Sequence, residues 1–129
     1  MEAVSVIHID THVLVWLWER KAKYAKLLAR RIEDEVIVVS PAALVELQCI
    51  REIGRFKDSP EKVVAGLAES IGLSVSGAPF DDIAQMAMAL SWTRDPFDRL
   101  IVANAITDSA RLLTFDDRIH ANFDGALWD

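Results

Sequence analysis

Trp92-Thr93-Arg94-Asp95-Pro96-Phe97-Asp98-Arg99-Leu100-Ile101-Val102-Ala103-Asn104-Ala105 is the stretch around which the chain organises itself. An acidic residue, a proline and then an apolar, helix-forming run is how a helix begins, with Asp95 as N-cap, Pro96 at N1 and Asp98 at N3. Capping alone explains Asp95, because an N-cap carboxylate satisfies orphan backbone N–H groups and complements the helix dipole. Asp98 is different. At about 100° per residue it shares its face with Ile101, Val102 and Ala105, so its carboxylate is aimed inward at the rim of the fold.

Downstream, that helix is expected to end near Ala110, and Arg111 to Phe115 reads as a strand closed by Asp116 and Asp117. Ala126 to Trp128 suggests a short further strand. Upstream, Val4 to Ile9 is an apolar run ended by Asp10-Thr11, a buried strand with a carboxylate at its end, followed by a helical segment from His12 to Glu19. Lys21 to Glu35 reads as one amphipathic helix whose outer face carries Lys21, Lys23, Lys26, Arg30 and Arg31. Val36 to Val39 is a second strand, and Ser40-Pro41 caps a helix from Ala42 to Arg55. Ser59-Pro60-Glu61 opens a helix to about Ile71, with Gly54 and Gly72 as stops. Leu73 to Ser76 reads as a third strand and Phe80 to Trp92 as a helix, with Asp81 and Asp82 serving its dipole. Strands alternating with helices predict an α/β, doubly wound, mostly parallel sheet of four to five strands, in one domain over residues 1–129.

Within the helix after the second strand, stepping 100° per residue from Glu46 places Ala42, Ala43, Cys49, Ile50 and Ile53 within about 60° of it. Burying a lone carboxylate costs on the order of several kcal/mol, so Glu46 is expected to be paired, protonated or bound to a metal. His8 and His12 are read as packed or surface residues, and Cys49 as a small buried hydrophobe.

The chain has 129 residues, 52% hydrophobic and 26% charged, with net charge −6. Residues 1–62 balance ten basic against ten acidic side chains, whereas residues 63–129 set four against ten. Such a chain is a poor generic polyanion binder unless something besides protein supplies positive charge. No apolar run approaches the ~18 residues that span a bilayer and no secretory leader is recognisable, so a soluble, cytoplasmic protein is expected. A single Cys49 rules out an internal disulfide and a thiolate zinc site.

Sites in doubly wound sheets lie beyond the carboxyl ends of the strands. Asp10 and Asp116 end strands, Asp98 opens a helix on the same rim, and Glu46 reaches it from the early turns of its helix. Four converging carboxylates raise one another's pKa values, and a divalent cation resolves the conflict. Oxygen-only donors select Mg²⁺ or Mn²⁺, ions suited to hydrolysing a phosphodiester.

Asp10-Thr11, Glu46, the run Asp95 to Ala105 and Leu112-Leu113-Thr114-Phe115-Asp116 together resemble the PIN-domain ribonucleases, specifically the VapC-like toxins of toxin–antitoxin pairs. The resemblance implies that Asp10, Glu46, Asp98 and Asp116 are the catalytic, metal-holding acids, with Asp10 and Asp98 as direct ligands of Mg²⁺ or Mn²⁺. It further implies cleavage of RNA, a homodimer, and a cognate antitoxin that covers the site and the first helices, where Trp16 and Trp18 suit a partner surface. Asp95 and Asp117 are additional acidic neighbours, with capping the role expected of Asp95. Two other readings compete: an inactive PIN-like RNA-binding or regulatory module, and a receiver-type signalling domain. The second fits poorly, since the middle strands end in Ser40 and Ser76-Gly77 rather than in Asp.

Overall fold

The computed structural model describes residues 5–129. Five strands, β1 (Val6–Ile9), β2 (Val36–Val39), β3 (Ser74–Val75), β4 (Arg111–Leu113) and β5 (Ala126–Leu127), form one sheet in the order β3-β2-β1-β4-β5. Every neighbouring pair is parallel. The expected α/β doubly wound architecture is therefore the observed one. Ile7, His8 and Ile9 point to alternate faces of β1 and all are 0% exposed, so helices cover both sides of the sheet.

The helices are α1 (Thr11–Glu19), α2 (Ala25–Ile32), α3 (Pro41–Glu52), α4 (Pro60–Ile71), α5 (Phe80–Met88), α6 (Pro96–Thr107) and α7 (Asp117–Asn122). None is long and apolar enough to cross a membrane among the described residues. Ile9 pairs with both Val39 and Leu113, so Asp10, Ser40 and Thr114 leave the sheet side by side. Asp10 and Ser40 cap the helices that follow them. β1 runs up the middle, with β2 on one side and β4 on the other, which makes the end of β1 a point where the winding reverses.

Several boundaries differ from the sequence expectations, each for a local reason. Val4, where the first strand is expected to begin, lies outside the described residues. The helix expected over Lys21–Glu35 is broken: Arg20 adopts a left-handed φ of 54°, Ala22–Tyr24 forms a 3-10 turn, and only Ala25–Ile32 is α-helical. Stacking of Tyr24 on Trp16, ring centroids 4.2 Å apart, holds that turn against α1. α6 stops at Thr107 because Ser109 turns left-handed at φ 53°. The Ala110 and Ser109 N–H groups then bond the Ala105 and Ile106 carbonyls, which closes the helix end. α5 stops at Met88, short of Trp92, and β3 and β4 are shorter than expected.

The buried stripe of α3 is centred on Ala43 and Leu47, both 0% exposed, roughly 80° round from Glu46 at 100° per residue. Cys49 is accordingly exposed, not buried, and Ile53 is 67% exposed. His8 is buried as expected of a packed histidine. Its Nε2 lies 2.7 Å from Asp108 Oδ2, which also accepts from the Ser76 hydroxyl, and burial lowers its pKa. This network ties β1 to α6.

α1 meets α4 at Gly66, where a Cβ would stand 2.5 Å from the Trp18 ring. Trp18 is held there by its indole N–H donating to Asp58 Oδ2 at 2.8 Å. Gly66→Ala is expected to destabilise the protein, because overpacking of about 1–3 kcal/mol outweighs the gain of up to ~1 kcal/mol from replacing a helical glycine. A lowered urea midpoint together with altered tryptophan fluorescence checks it.

Candidate active site

Each acid of the strand-end rim is placed by backbone that the sequence dictates locally. Asp10 follows β1 in extended conformation and caps α1, with Oδ1 accepting from the Val13 N–H at 3.0 Å. Its other oxygen accepts from the hydroxyl of Thr114. Thr114 is 0% exposed and its Oγ1 accepts in turn from the Asp116 N–H at 3.1 Å. Asp116 caps α7, accepting from the Arg118 and Ile119 N–H groups at 2.8 and 3.2 Å.

The start of α6 repeats this device. Thr93, 3% exposed, accepts from the Asp95 N–H at 3.1 Å. Asp95 then caps the helix through the Phe97 and Asp98 N–H groups at 2.9 and 3.3 Å. The capping role expected of Asp95 is what is found. From α3, half-buried Glu46 accepts from the hydroxyl of Thr11, a residue only 1% exposed.

Asp10, Glu46, Asp98 and Asp116 all line one cleft of about 140 Å³, together with Thr11, His12, Asp95, Ile101 and Ile119. Asp117 is not among its walls. Among the described residues, no three His, Cys, Asp or Glu side chains are gathered closely enough to form a ready-made metal cage. The acids are spread over the walls of the cleft.

Among the described residues, no lysine or arginine lines the cleft. The ion pairs among them, His8–Asp108, Lys62–Asp58 and Arg111–Glu35, use none of the four acids. The electrostatic consequence is strong. Burial, then the charges of Asp95, Asp116, Glu46 and Asp10, push the Asp98 pKa up to about 7. Burial also raises Glu46, against the opposing hydrogen bond from Thr11. Asp10 is raised by burial too, against the bonds from Thr114 and Val13.

Residues missed by sequence reasoning are the hydroxyls Thr11, Thr93 and Thr114, and His12, which reads from the sequence as a packed or surface residue. Thr114 carries a usable signal, since a polar residue ending an apolar strand just before an acid is a candidate hydrogen-bond donor to the rim. Thr93 shares its Thr-x-Asp spacing.

The PIN domain family model matches residues 7–124. No curated protein gives a match to the sequence. Among solved structures, the chain is similar to VapBC2 from Rickettsia felis bound to a DNA fragment from its promoter, at 19% identity and TM-score 0.67, covering 96% of this chain and 99% of that one. It is also similar to a toxin–antitoxin complex from Klebsiella pneumoniae, at 19% identity and TM-score 0.67, covering 94% and 95%. VapBC-1 from nontypeable Haemophilus influenzae follows at 16% identity and TM-score 0.61, covering 96% of each. These structural likenesses show a common fold.

The raised Asp98 pKa sets a pH dependence. The folded chain keeps a proton on Asp98 that the unfolded chain releases above the ordinary value of 3.8. Its contribution to stability is thus fully present below that value and is lost as pH rises through about 7. In chelator, Asp98→Asn should therefore gain thermal stability relative to the unmodified chain as pH goes from 5 to 8. Melting curves of both proteins across that range check it.

Proposed function

The chain belongs to the PIN domain family, and on that premise we propose that it is a metal-dependent endoribonuclease and the toxin of a toxin–antitoxin pair. The observation that carries this reading is four carboxylates from four separate segments lining one cleft at the strand ends, with no lysine or arginine among its walls. Residues 1–129 act as a single catalytic domain in this reading, in the cytoplasm.

The residues present fit a hard divalent cation. They offer oxygen donors, and three of them have pKa values raised by burial and mutual repulsion, an excess of negative potential that a cation relieves. Asp10, Glu46, Asp98 and Asp116 would hold Mg²⁺ or Mn²⁺, and when bound such an ion lowers the pKa of water and polarises a phosphodiester. The protein's own part is positioning. Thr114 and the Val13 N–H fix both oxygens of Asp10, Thr11 orients Glu46, and the cap geometry directs Asp116. Asp98, ionised as pH rises through about 7, completes the negative set where RNA phosphate must approach.

The toxin assignment draws on the fold shared with complexes described as toxin–antitoxin and VapBC, and its partner is a cognate antitoxin. A homodimer belongs to the same reading. Exposed Val45, Val75 and Phe80 (56%, 39% and 68%) line two adjoining clefts beside edge strand β3, the surface on which two copies would close.

Purified protein is expected to cut RNA with Mg²⁺ or Mn²⁺ and to stop in chelator. Asp10→Asn or Asp98→Asn should each reduce cleavage at least about 100-fold while the protein stays folded. Thr114→Val should weaken metal-dependent activity by about 10- to 100-fold, as loss of a ligand-orienting partner does. Cleavage at wild-type rate in both Asp variants refutes the assignment. Separately, Phe80→Glu should convert a dimer to a monomer in sedimentation velocity.

A further inference from the structure

Beside the acid cleft stands a second built feature that the proposed chemistry does not use. Trp16 of α1, Tyr24 of the 3-10 turn, Phe115 between β4 and α7, and Trp128 after β5 form a closed aromatic cluster, each ring centroid within 6.0 Å of the other three. Phe115 is its open ring, 52% exposed. The cluster is anchored from behind by Arg31, whose Nε donates to the Trp128 carbonyl at 2.8 Å.

Its position relative to the cleft follows from the chain itself. Phe115 lies between Thr114, which holds Asp10, and Asp116, which lines the cleft. On the other side, His12 lines the cleft and its ring is 6.1 Å from that of Trp16. The rings also carry cations, in a chain whose net charge is −6. Lys21 Nζ lies 5.9 Å from the Trp16 and Tyr24 centroids, and Lys23 Nζ lies 5.5 Å from that of Tyr24.

An open ring, Phe115, in a cluster whose Trp16 and Tyr24 rings carry ammonium groups matches the repeat of a single nucleic-acid strand, a base with a flat π-face alternating with a phosphate. Bases stacked within a duplex cannot use such a ring. We infer that the Trp16–Tyr24–Phe115–Trp128 cluster, with Lys21 and Lys23, is a platform on which an unpaired base of the RNA stacks next to the scissile phosphodiester, with Phe115 as the ring that meets the base. This inference rests on the ribonuclease reading and adds to it the protein's own share of affinity for the strand. A divalent cation held by the cleft acids would neutralise the phosphate to be cut; the platform holds the neighbouring nucleotide in register.

The test is binding of a fluorescently labelled single-stranded oligouridine to the full chain in chelator, read by anisotropy, alongside steady-state cleavage with Mn²⁺. Phe115→Ala is expected to weaken binding by about 5- to 150-fold, the range for one base–aromatic stack removed, with Phe115→Trp restoring it. Lys21→Gln combined with Lys23→Gln should flatten the salt dependence by about 1.4 in log–log slope, ~0.7 for each phosphate no longer neutralised. In cleavage, Phe115→Ala should raise KM and leave kcat unchanged, and duplex RNA should bind more weakly than the single strand. Binding that is indifferent to Phe115→Ala, or equal for duplex and single strand, overturns the inference. So does a Phe115→Ala variant that loses an antitoxin peptide while keeping RNA, which would give the surface to a protein. Binding through Phe115 without any cleavage refutes the ribonuclease reading, and with it the placement beside a scissile bond, and leaves only a base-stacking surface. Cleavage with an unaltered KM in Phe115→Ala does the reverse.

Discussion

The carboxylate of Asp10 is the point from which the site and its surroundings are built. It sits where β1 ends, in register with β2 and β4, and both its oxygens are bonded, one to the Val13 N–H that starts α1 and one to the Thr114 hydroxyl at the end of β4. One side chain therefore joins the central strand, the first helix and the neighbouring strand. Because Thr114 also accepts from the Asp116 N–H, the position of one acid is passed to a second at the far end of the chain. A parallel sheet favours this, since strands that end together deliver their following residues to one edge.

The rim depends on helix starts as much as on strand ends. Asp10, Asp95 and Asp116 are all N-caps, each accepting from backbone N–H groups. Capping usually competes with function for a carboxylate, but an N-cap uses one or two lone pairs and fixes the rotamer, leaving the remaining acceptor sites directed away from the helix. Asp98, one turn into α6, makes no such bond and sits among the three caps and Glu46. It is the acid with the largest repulsive surroundings, and the one whose pKa is raised to about 7.

Much of this is legible from residue order, for identifiable physical reasons. Apolar runs ending in Asp10 and Asp116 mark strand termini at any level of detail, and the phase of Asp98 against Ile101, Val102 and Ala105 is a property of one helix alone. Glu46 shows where such reasoning weakens. The sequence centres its stripe on the wrong azimuth because Cys49 and Ile53 are apolar by type yet exposed in fact, while Ala43 and Leu47 meet the core. The residue still reaches the cleft, from the margin of the stripe rather than its middle. What no local pattern carries is the partner of a hydrogen bond between distant segments, such as Thr114 to Asp10 or Thr11 to Glu46. The break at residues 20–24 is hidden for the same reason, since it depends on Tyr24 stacking on a ring in the preceding helix.

The choice of threonine as the supporting residue has a consequence for what the cleft can bind. An arginine or lysine in the place of Thr11 or Thr114 would offset the carboxylate's charge and lower its pKa. A hydroxyl is neutral. It donates one hydrogen bond, holds the oxygen in place and leaves the negative charge standing. Thr11 and Thr114 are almost wholly buried, so water does not compete for those bonds, and burial, with the repulsion among the acids added to it, persists as raised pKa values. The fold thus carries a cluster of uncompensated acids, while Lys21 and Lys23 stand outside it, over the Trp16 and Tyr24 rings.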